Sequence, residues 1–448
     1  MKTSQAAAVA VAVAIVLTAA ACAPGSSNGS PTKATGTKLT GADVAKAGKI
    51  TLTMDDFETT GGLSPALDSL IKQFEAKYPN ITIKRSSKDF NDYGKTISLT
   101  MSSSTAPDIA EANVVMARSL VPAGLTEPLN AYYQAYGWAQ RYPSSVLGLL
   151  QSSNGKTFGQ GNFWGQALGG NMVGVYYDKR MLSTLGLTVP TSYAEFVHDL
   201  AVAKSKGQLP IQLGNLDQYP ANHVFSTVLN AFADPQAVRD WINGKSGASF
   251  DTPGVIQAAQ ELQNWAKQGY LPSQTNGTKY DDAVAAFGKG NGLFYITGSW
   301  EEPIFAASMH ANVGFFVLPP KSAGQAPYPT GWLANPFTIS KRSEHADIAA
   351  FFLDYMSGPQ GAPTAVAGGF LPFTDTTPPA SAPVQADVIA AWRQAIKQNS
   401  LVPYLDFATP SMDTTLFPNL QSLLAHKMTP SQVASTAQHD WASYHSGN

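Results

Sequence analysis

A strand, a helix and a second strand follow one another between residues 50 and 83, and this unit constrains the fold of the 448-residue chain more than any other feature. Ile50, Leu52 and Met54 alternate with Thr51 and Thr53 at the period of two that a half-buried strand requires. Ser64-Pro65 then opens a helix whose Leu67, Leu70, Ile71 and Phe74 fall on one face, and Tyr78-Pro79-Asn80 ends it before Ile81-Thr82-Ile83 resumes a strand. A crossover of this length joins parallel neighbours, so the expected class is α/β with mainly parallel sheets flanked by helices.

The same punctuation recurs downstream. Ser192-Tyr193-Ala194-Glu195 reads as a capping box, Gly207 as a stop and Leu209 to Leu213 as the strand that follows. Pro253 opens a helix carrying Val255, Ile256, Ala259, Leu262 and Trp265, and residues 344 to 356 form another in which Phe351, Phe352 and Tyr355 are core. Further strands are expected at 172–177, 292–296 and 313–318. No repeat of solenoid period is present, and the length exceeds what one core usually serves, so a two-lobed body is the default.

The N-terminus addresses the chain for export. Lys2 gives a positive start, Ala6 to Ala21 is almost wholly apolar, and Ala19-Ala20-Ala21 leads into Cys22, the only cysteine. The apolar run is too short for a secure membrane span. Small residues followed at once by cysteine resemble a bacterial lipobox, although Ala19 stands where leucine is preferred. The same alanines read as an ordinary signal-peptidase site, and both readings cut the bond before Cys22. The expectation is a signal peptide over 1–21, lipid on Cys22, and a flexible tether over 22–48 rich in Gly, Ser, Thr and Pro. One cysteine allows no internal disulfide, so stability must come from packing.

Composition narrows the partners. Charged residues are only 13%, about half the usual share, and 29 Lys plus Arg nearly balance 31 Asp plus Glu. Nucleic-acid binding is disfavoured. The seven histidines show no metal-ligand spacing, and no phosphate loop or dinucleotide fingerprint is present, so neither metal nor cofactor is expected. Gly25-Ser26-Ser27-Asn28-Gly29 matches the letters of a hydrolase elbow but sits in the tether, without the strand and helix that chemistry needs. Paired carboxylates at Asp55-Asp56, Asp281-Asp282 and Glu301-Glu302 suggest a glycosidase, yet neighbours on a strand point to opposite faces.

Eight stretches, in order, resemble the family 1 solute-binding proteins of carbohydrate ABC importers: ITLTMDDFE (50–58), FEAKYPNITIK (74–84), TAPDIAEAN (105–113), LVPAGLTEPLN (120–130), MVGVYYDK (172–179), VPTSYAEF (189–196), AFGKGNGLFYITGSW (286–300) and the run from Gly331-Trp332 to the helix at 344. The resemblance implies the type II periplasmic-binding-protein fold, with 49–167 plus 330–371 as one lobe, 168–329 plus 372–448 as the other, and a mono- or oligosaccharide in the cleft between them. It implies a monomer that is not an enzyme, outside the cytoplasm on the outer face of the membrane, delivering its ligand to ABC permease subunits.

Saccharide recognition asks for aromatic faces and for carboxylates or amides. Loop positions beyond strands supply them, where α/β clefts bind ligands. The expected ligand-binding residues are Asp56, Glu58, Lys88, Asp89, Asn113, Trp164, Asn171, Tyr219, Ser299, Trp300, Trp332 and Asp375, with Phe225 and Phe370 as further candidates. Asp55 stands where the family often has tryptophan, and Asp108 is expected to fix a loop. An anchored glycosidase built from distant carboxylates is one alternative, and a binding protein for a solute such as a polyamine is another.

Overall fold

Period-two burial drives the first sheet. In the computed structural model, which describes residues 34–142, 144–156, 158–322, 324–334, 336–373 and 380–446, strand β1 (Ile50–Asp56) buries Leu52, Met54 and Asp56 and turns Thr51, Thr53 and Asp55 the other way. Strand β2 (Ile81–Ser87) pairs with it in parallel from Ile50 opposite Ile81 to Asp56 opposite Ser87. The helix Leu63–Lys77 crosses between them and buries Leu63, Ala66, Leu67, Leu70, Ile71 and Phe74, the i, i+3, i+4 stripe of a helix laid on a sheet. Strand β3 (Ile109–Glu111) pairs parallel to β1 on the other side.

The second sheet is built around a strand buried along its whole length. Strand β4 (Gly170–Asp178) lies between β6 (Phe294–Gly298) and β7 (Val313–Phe316), with β5 (Ile211–Gln212) outside β6. Strand β8 (Gly331–Leu333) pairs with the start of β4, and β9 (Phe337–Ile339) closes the edge of the first sheet beside β3. The α/β class holds, but the expectation of parallel pairing in each lobe does not hold in the second sheet. There β4 runs antiparallel to β6, β7 and β8, and only β5 and β6 are parallel. Alternation fixes which face of a strand is buried and is silent on its direction.

Local signals show a similar mixture. Ser192 caps the helix Tyr193–Ser205 by accepting from the Glu195 N–H, but the Glu195 carboxylate turns to Thr191 N (2.7 Å) and Oγ1 (2.9 Å), so the expected box forms only in part. The helix Leu63–Lys77 starts before Ser64, whose hydroxyl accepts from Arg85 instead. Inside the stretch read as a tether, Thr40 and Asp43 form a complete capping box on the short helix Gly41–Lys46, whose Val44 is buried. The segments 1–21 and 22–33, with Cys22, lie outside the described residues, as does Asp375. No helix among the described residues is long and apolar enough to cross a membrane.

Chain passes between the sheets at one place. Gln166 bridges Phe337, Gly170 exchanges two 2.7 Å backbone hydrogen bonds with Leu371, and Asn171 pairs with Trp332. A Cβ on Gly170 would lie 2.2 Å from the Trp392 ring, which is fully buried and has no room to move. Gly170→Ala is therefore expected to cost roughly 1–3 kcal/mol by overpacking, seen as a fall of several degrees in Tm by scanning fluorimetry. An unchanged Tm would show that this crossing yields easily.

Candidate functional site

The ends of β1, β3, β4 and β6 converge on a cavity of about 460 Å³. One wall follows the first sheet. Phe57, Glu58 and Thr60 come after β1, Asp89 and Phe90 after β2, and Asn113 after β3. The other follows the second sheet, with Trp300 and Glu301 after β6, Tyr280 and Asp281 opening the helix Tyr280–Gly288, and Tyr219 and His223 on the helix Tyr219–Phe232. Asn171, at the crossing, forms part of the floor with Tyr404, Asp406 and Phe407.

The two walls touch at the rim. Thr60 Oγ1 donates to Asp281 Oδ1 (3.5 Å), Asn91 Nδ2 donates to the Asp217 carbonyl (3.3 Å), and the rings of Phe90 and Tyr219 stand 6.0 Å apart edge to face.

Trp300 is held by a hydrogen bond at its Nε1. Its Nε1 donates to Tyr280 Oη (2.9 Å), which donates in turn to Glu301 Oε1 (2.9 Å) and shares a 2.7 Å hydrogen bond with Thr297 Oγ1. The indole folds back over Gly298, where a Cβ would lie 2.1 Å from the ring, so only glycine fits. The ring is left half-buried against the cavity, with the His223 ring 5.3 Å away. On the floor, Tyr404 Oη donates to Asn171 Oδ1 (2.9 Å) and Asn222 Nδ2 to Asp406 Oδ1 (3.2 Å).

Burial sets the charge of these groups. It pushes Glu301 up to about 7 against the Tyr280 hydrogen bond, and Asp406 up to about 7 with the help of the Asp413 charge. Burial and the Asp56 charge raise Glu58, against a hydrogen bond with Glu111, and burial with the Glu58 and Asp56 charges raises Glu111. Burial lowers His223 to about 4, so the imidazole is neutral, and its Nδ1 has no partner among the described residues.

Six of the residues expected from sequence line this cavity: Glu58, Asp89, Asn113, Asn171, Tyr219 and Trp300. Asp89 and Asn113 also cap the helices Phe90–Ser102 and Val114–Leu120 through the N–H groups of Asn91 and Met116. The others among the described residues stand elsewhere. Asp56 is fully buried in a two-pronged pair with Arg85 (2.7 and 2.9 Å), and Lys88 is exposed beside it. Trp164 is in the core with its Nε1 on the Leu149 carbonyl (2.9 Å), and Ser299 Oγ accepts from Met172 N–H (3.4 Å). Trp332 is buried at the crossing, donating to the Val146 carbonyl (3.2 Å) and facing a separate cavity of about 390 Å³. Phe225 and Phe370 are core. Asp108 does fix a loop, accepting from Thr53 N–H (2.8 Å) and from Ser343 Oγ (2.6 Å).

Residues not foreseen complete the site. Tyr280, His223, Asn222, Tyr404 and Asp406 arrive on helix starts and on the 402–408 segment, with no local motif. Phe57 was legible in principle, since it directly precedes Glu58 in the same stretch. Among the described residues no group of three metal-ligating side chains converges.

The family model for bacterial extracellular solute-binding proteins matches residues 69–391. The chain belongs to that family. It is a binding protein and not an enzyme, as are the relatives it matches. The multiple sugar-binding protein of Streptococcus mutans is 25% identical over 328 residues, 70% of this chain and 73% of that one. Solved structures share the fold of this family member. A chitin oligosaccharide binding protein superposes with TM-score 0.76 at 20% identity, covering 89% of this chain and 99% of that one. A sugar transporter protein of Bacillus licheniformis in complex with stachyose gives TM-score 0.69 at 18% identity, covering 88% and 100%.

Proposed function

We propose that this solute-binding protein captures a mono- or oligosaccharide in the cavity between its two sheets and passes it to the permease of an ABC importer. The observation that carries the reading is the Trp300 ring, which lines the cavity and is held through Nε1 by Tyr280 above a floor of amides and carboxylates, the pairing of apolar ring surface and acceptors that pyranose rings require. The similarity to a multiple sugar-binding protein and to a chitin oligosaccharide binding protein points the same way.

The expected lobes, 49–167 plus 330–371 and 168–329 plus 372–448, each contain one sheet apart from β8, which sits at the crossing. Closure about Gln166–Met172 and Thr330–Phe337 brings the walls together on the ligand, and differential affinity for the closed form supplies the driving force. Glu58, Asp89, Asn113, Asn171, Tyr219 and Trp300 serve as ligand contacts, joined by Tyr280, Glu301 and Asp406. Lipid on Cys22 holds the protein at the outer face of the membrane, which keeps it near its permease. The protein acts as a monomer.

A thermal-shift screen over mono-, di- and oligosaccharides, followed by calorimetry, tests the ligand class. A response to peptides alone would sink it. Anchoring is tested separately: palmitate-probe label on the expressed protein is expected to vanish in Cys22→Ala, and label retained in that variant would overturn the lipoprotein reading.

A further inference from the structure

The cavity is acidic in a chain that is poor in charge. Glu58, Asp89, Asp217, Asp281, Glu301 and Asp406 line it, against Lys279 as the one lysine or arginine. His223 is neutral and cannot balance them. Elsewhere the chain pairs three buried or half-buried carboxylates with arginine, Asp56 with Arg85, Asp178 with Arg180 and Asp354 with Arg141, while buried Glu302 is met by the neutral Gln385 amide. No ion pair among the described residues involves any of the six in the cavity.

Their hydrogen bonds leave room for a donor. Asp217 accepts at Oδ2 from Tyr280 N–H (2.8 Å), Asp281 at Oδ1 from Thr60 and Glu301 at Oε1 from Tyr280, and the second oxygen of each has no side-chain hydrogen-bond donor among the described residues. These three and Asp89 lie close enough to Tyr219 for their charges to act together on its hydroxyl. Neutral hydroxyls can satisfy one or two such acceptors. Glu301 is buried, Asp217 half-buried and Asp281 exposed at the rim. A convergent set of this kind without a counter-ion is matched by a cation, because an ammonium makes a hydrogen bond to a carboxylate roughly twice as strong as a neutral donor does and favours the ionised form of the raised Glu301.

We propose that the solute of this cleft is a saccharide bearing a free, protonated amino group, received by Asp217, Asp281 and Glu301 beside Tyr219. The proposal rests on the saccharide reading above, since the Trp300 and Tyr219 rings supply the sugar-facing surface and the carboxylates supply the charge. A linear polyamine would use the second feature and leave the first idle.

Calorimetry on the mature chain at pH 7 tests this with glucosamine, galactosamine and glucosamine oligomers, each beside its N-acetylated and its hydroxyl counterpart, and with spermidine. The free amine is expected to bind at least about tenfold more tightly than either counterpart, equivalent to about 1.4 kcal/mol, and to weaken as salt rises. Counterparts that bind as tightly as the amine would overturn the proposal and leave the saccharide reading intact. Spermidine binding with no response to any saccharide would overturn the saccharide reading itself. Asp281→Asn and Glu301→Gln, checked for unchanged Tm, are each expected to lower the ratio of amine to hydroxyl affinity; a ratio retained in both would remove these residues from the assignment.

Discussion

Trp300→Ala is expected to weaken saccharide binding by about 30- to 150-fold, or about 2–3 kcal/mol, the loss typical of a buried aromatic anchor. Its indole is half-buried, lines the cavity and is oriented through Nε1 by Tyr280 Oη. Truncation removes that apolar surface and admits water to the wall. The fold is expected to survive, because Tyr280 Oη keeps Thr297 and Glu301 as partners. Trp300→Phe separates the two contributions: it retains a ring but loses the orienting hydrogen bond, and should recover part of the affinity. Titration calorimetry with the saccharide of largest thermal shift reads both variants. Affinity unchanged in Trp300→Ala at unchanged Tm would mean that the ring is part of the wall and not of the site.

Which tryptophan faces the ligand was only partly legible in the sequence. A glycine two residues before Trp300 and another directly before Trp332 suggested turns with outward rings for both. Trp300 fits that pattern, but the turn at Trp332 is a strand pairing at the crossing, and its indole N–H finds a carbonyl on a segment 186 positions away. Partners at that separation leave no local trace, whereas the indole N–H of Trp164 finds its carbonyl on Leu149, 15 positions away. Period-two reasoning, by contrast, carried more than was drawn from it. Leu52, Met54 and Asp56 share one face of β1, so the alternation that placed the leucine and methionine in the core also placed the aspartate there, and Arg85 on the neighbouring strand was the cation within reach. The first helix and the strands of the core were readable because their periods are local. The direction of strands in the second sheet, and the contribution of the 402–408 segment to the floor, depend on how distant pieces meet.

Arg85→Met is expected to be the most destabilising single change in the first sheet, at about 3–5 kcal/mol, because it leaves a buried carboxylate without its cation. The guanidinium donates to both oxygens of Asp56 (2.7 and 2.9 Å), to the Glu58 carbonyl (2.7 Å), to the Ser64 carbonyl (3.0 Å) and to Asp68 (2.7 Å). It thereby joins β2, the end of β1, the cavity loop and the helix Leu63–Lys77. The Asp68 contact adds little, since that carboxylate is 57% exposed and screened. Asp56 is the expensive partner: its side chain is 0% exposed, and Glu58 and Glu111 are close enough to feel its charge. Ser87 Oγ (2.9 Å) and Glu58 N–H (3.0 Å) remain as neutral donors, too few to replace a cation. The first calorimetric unfolding transition should therefore fall by on the order of 10 °C. Adding Asp56→Asn removes the stranded charge, and the double variant is expected to regain a large part of that loss, a positive coupling that the cycle of single and double variants measures directly. A double variant no better than the sum of its parts would show that Arg85 acts through the Glu58 and Ser64 carbonyls; in that case Arg85→Met would disturb the cavity loop, and saccharide affinity would fall along with Tm.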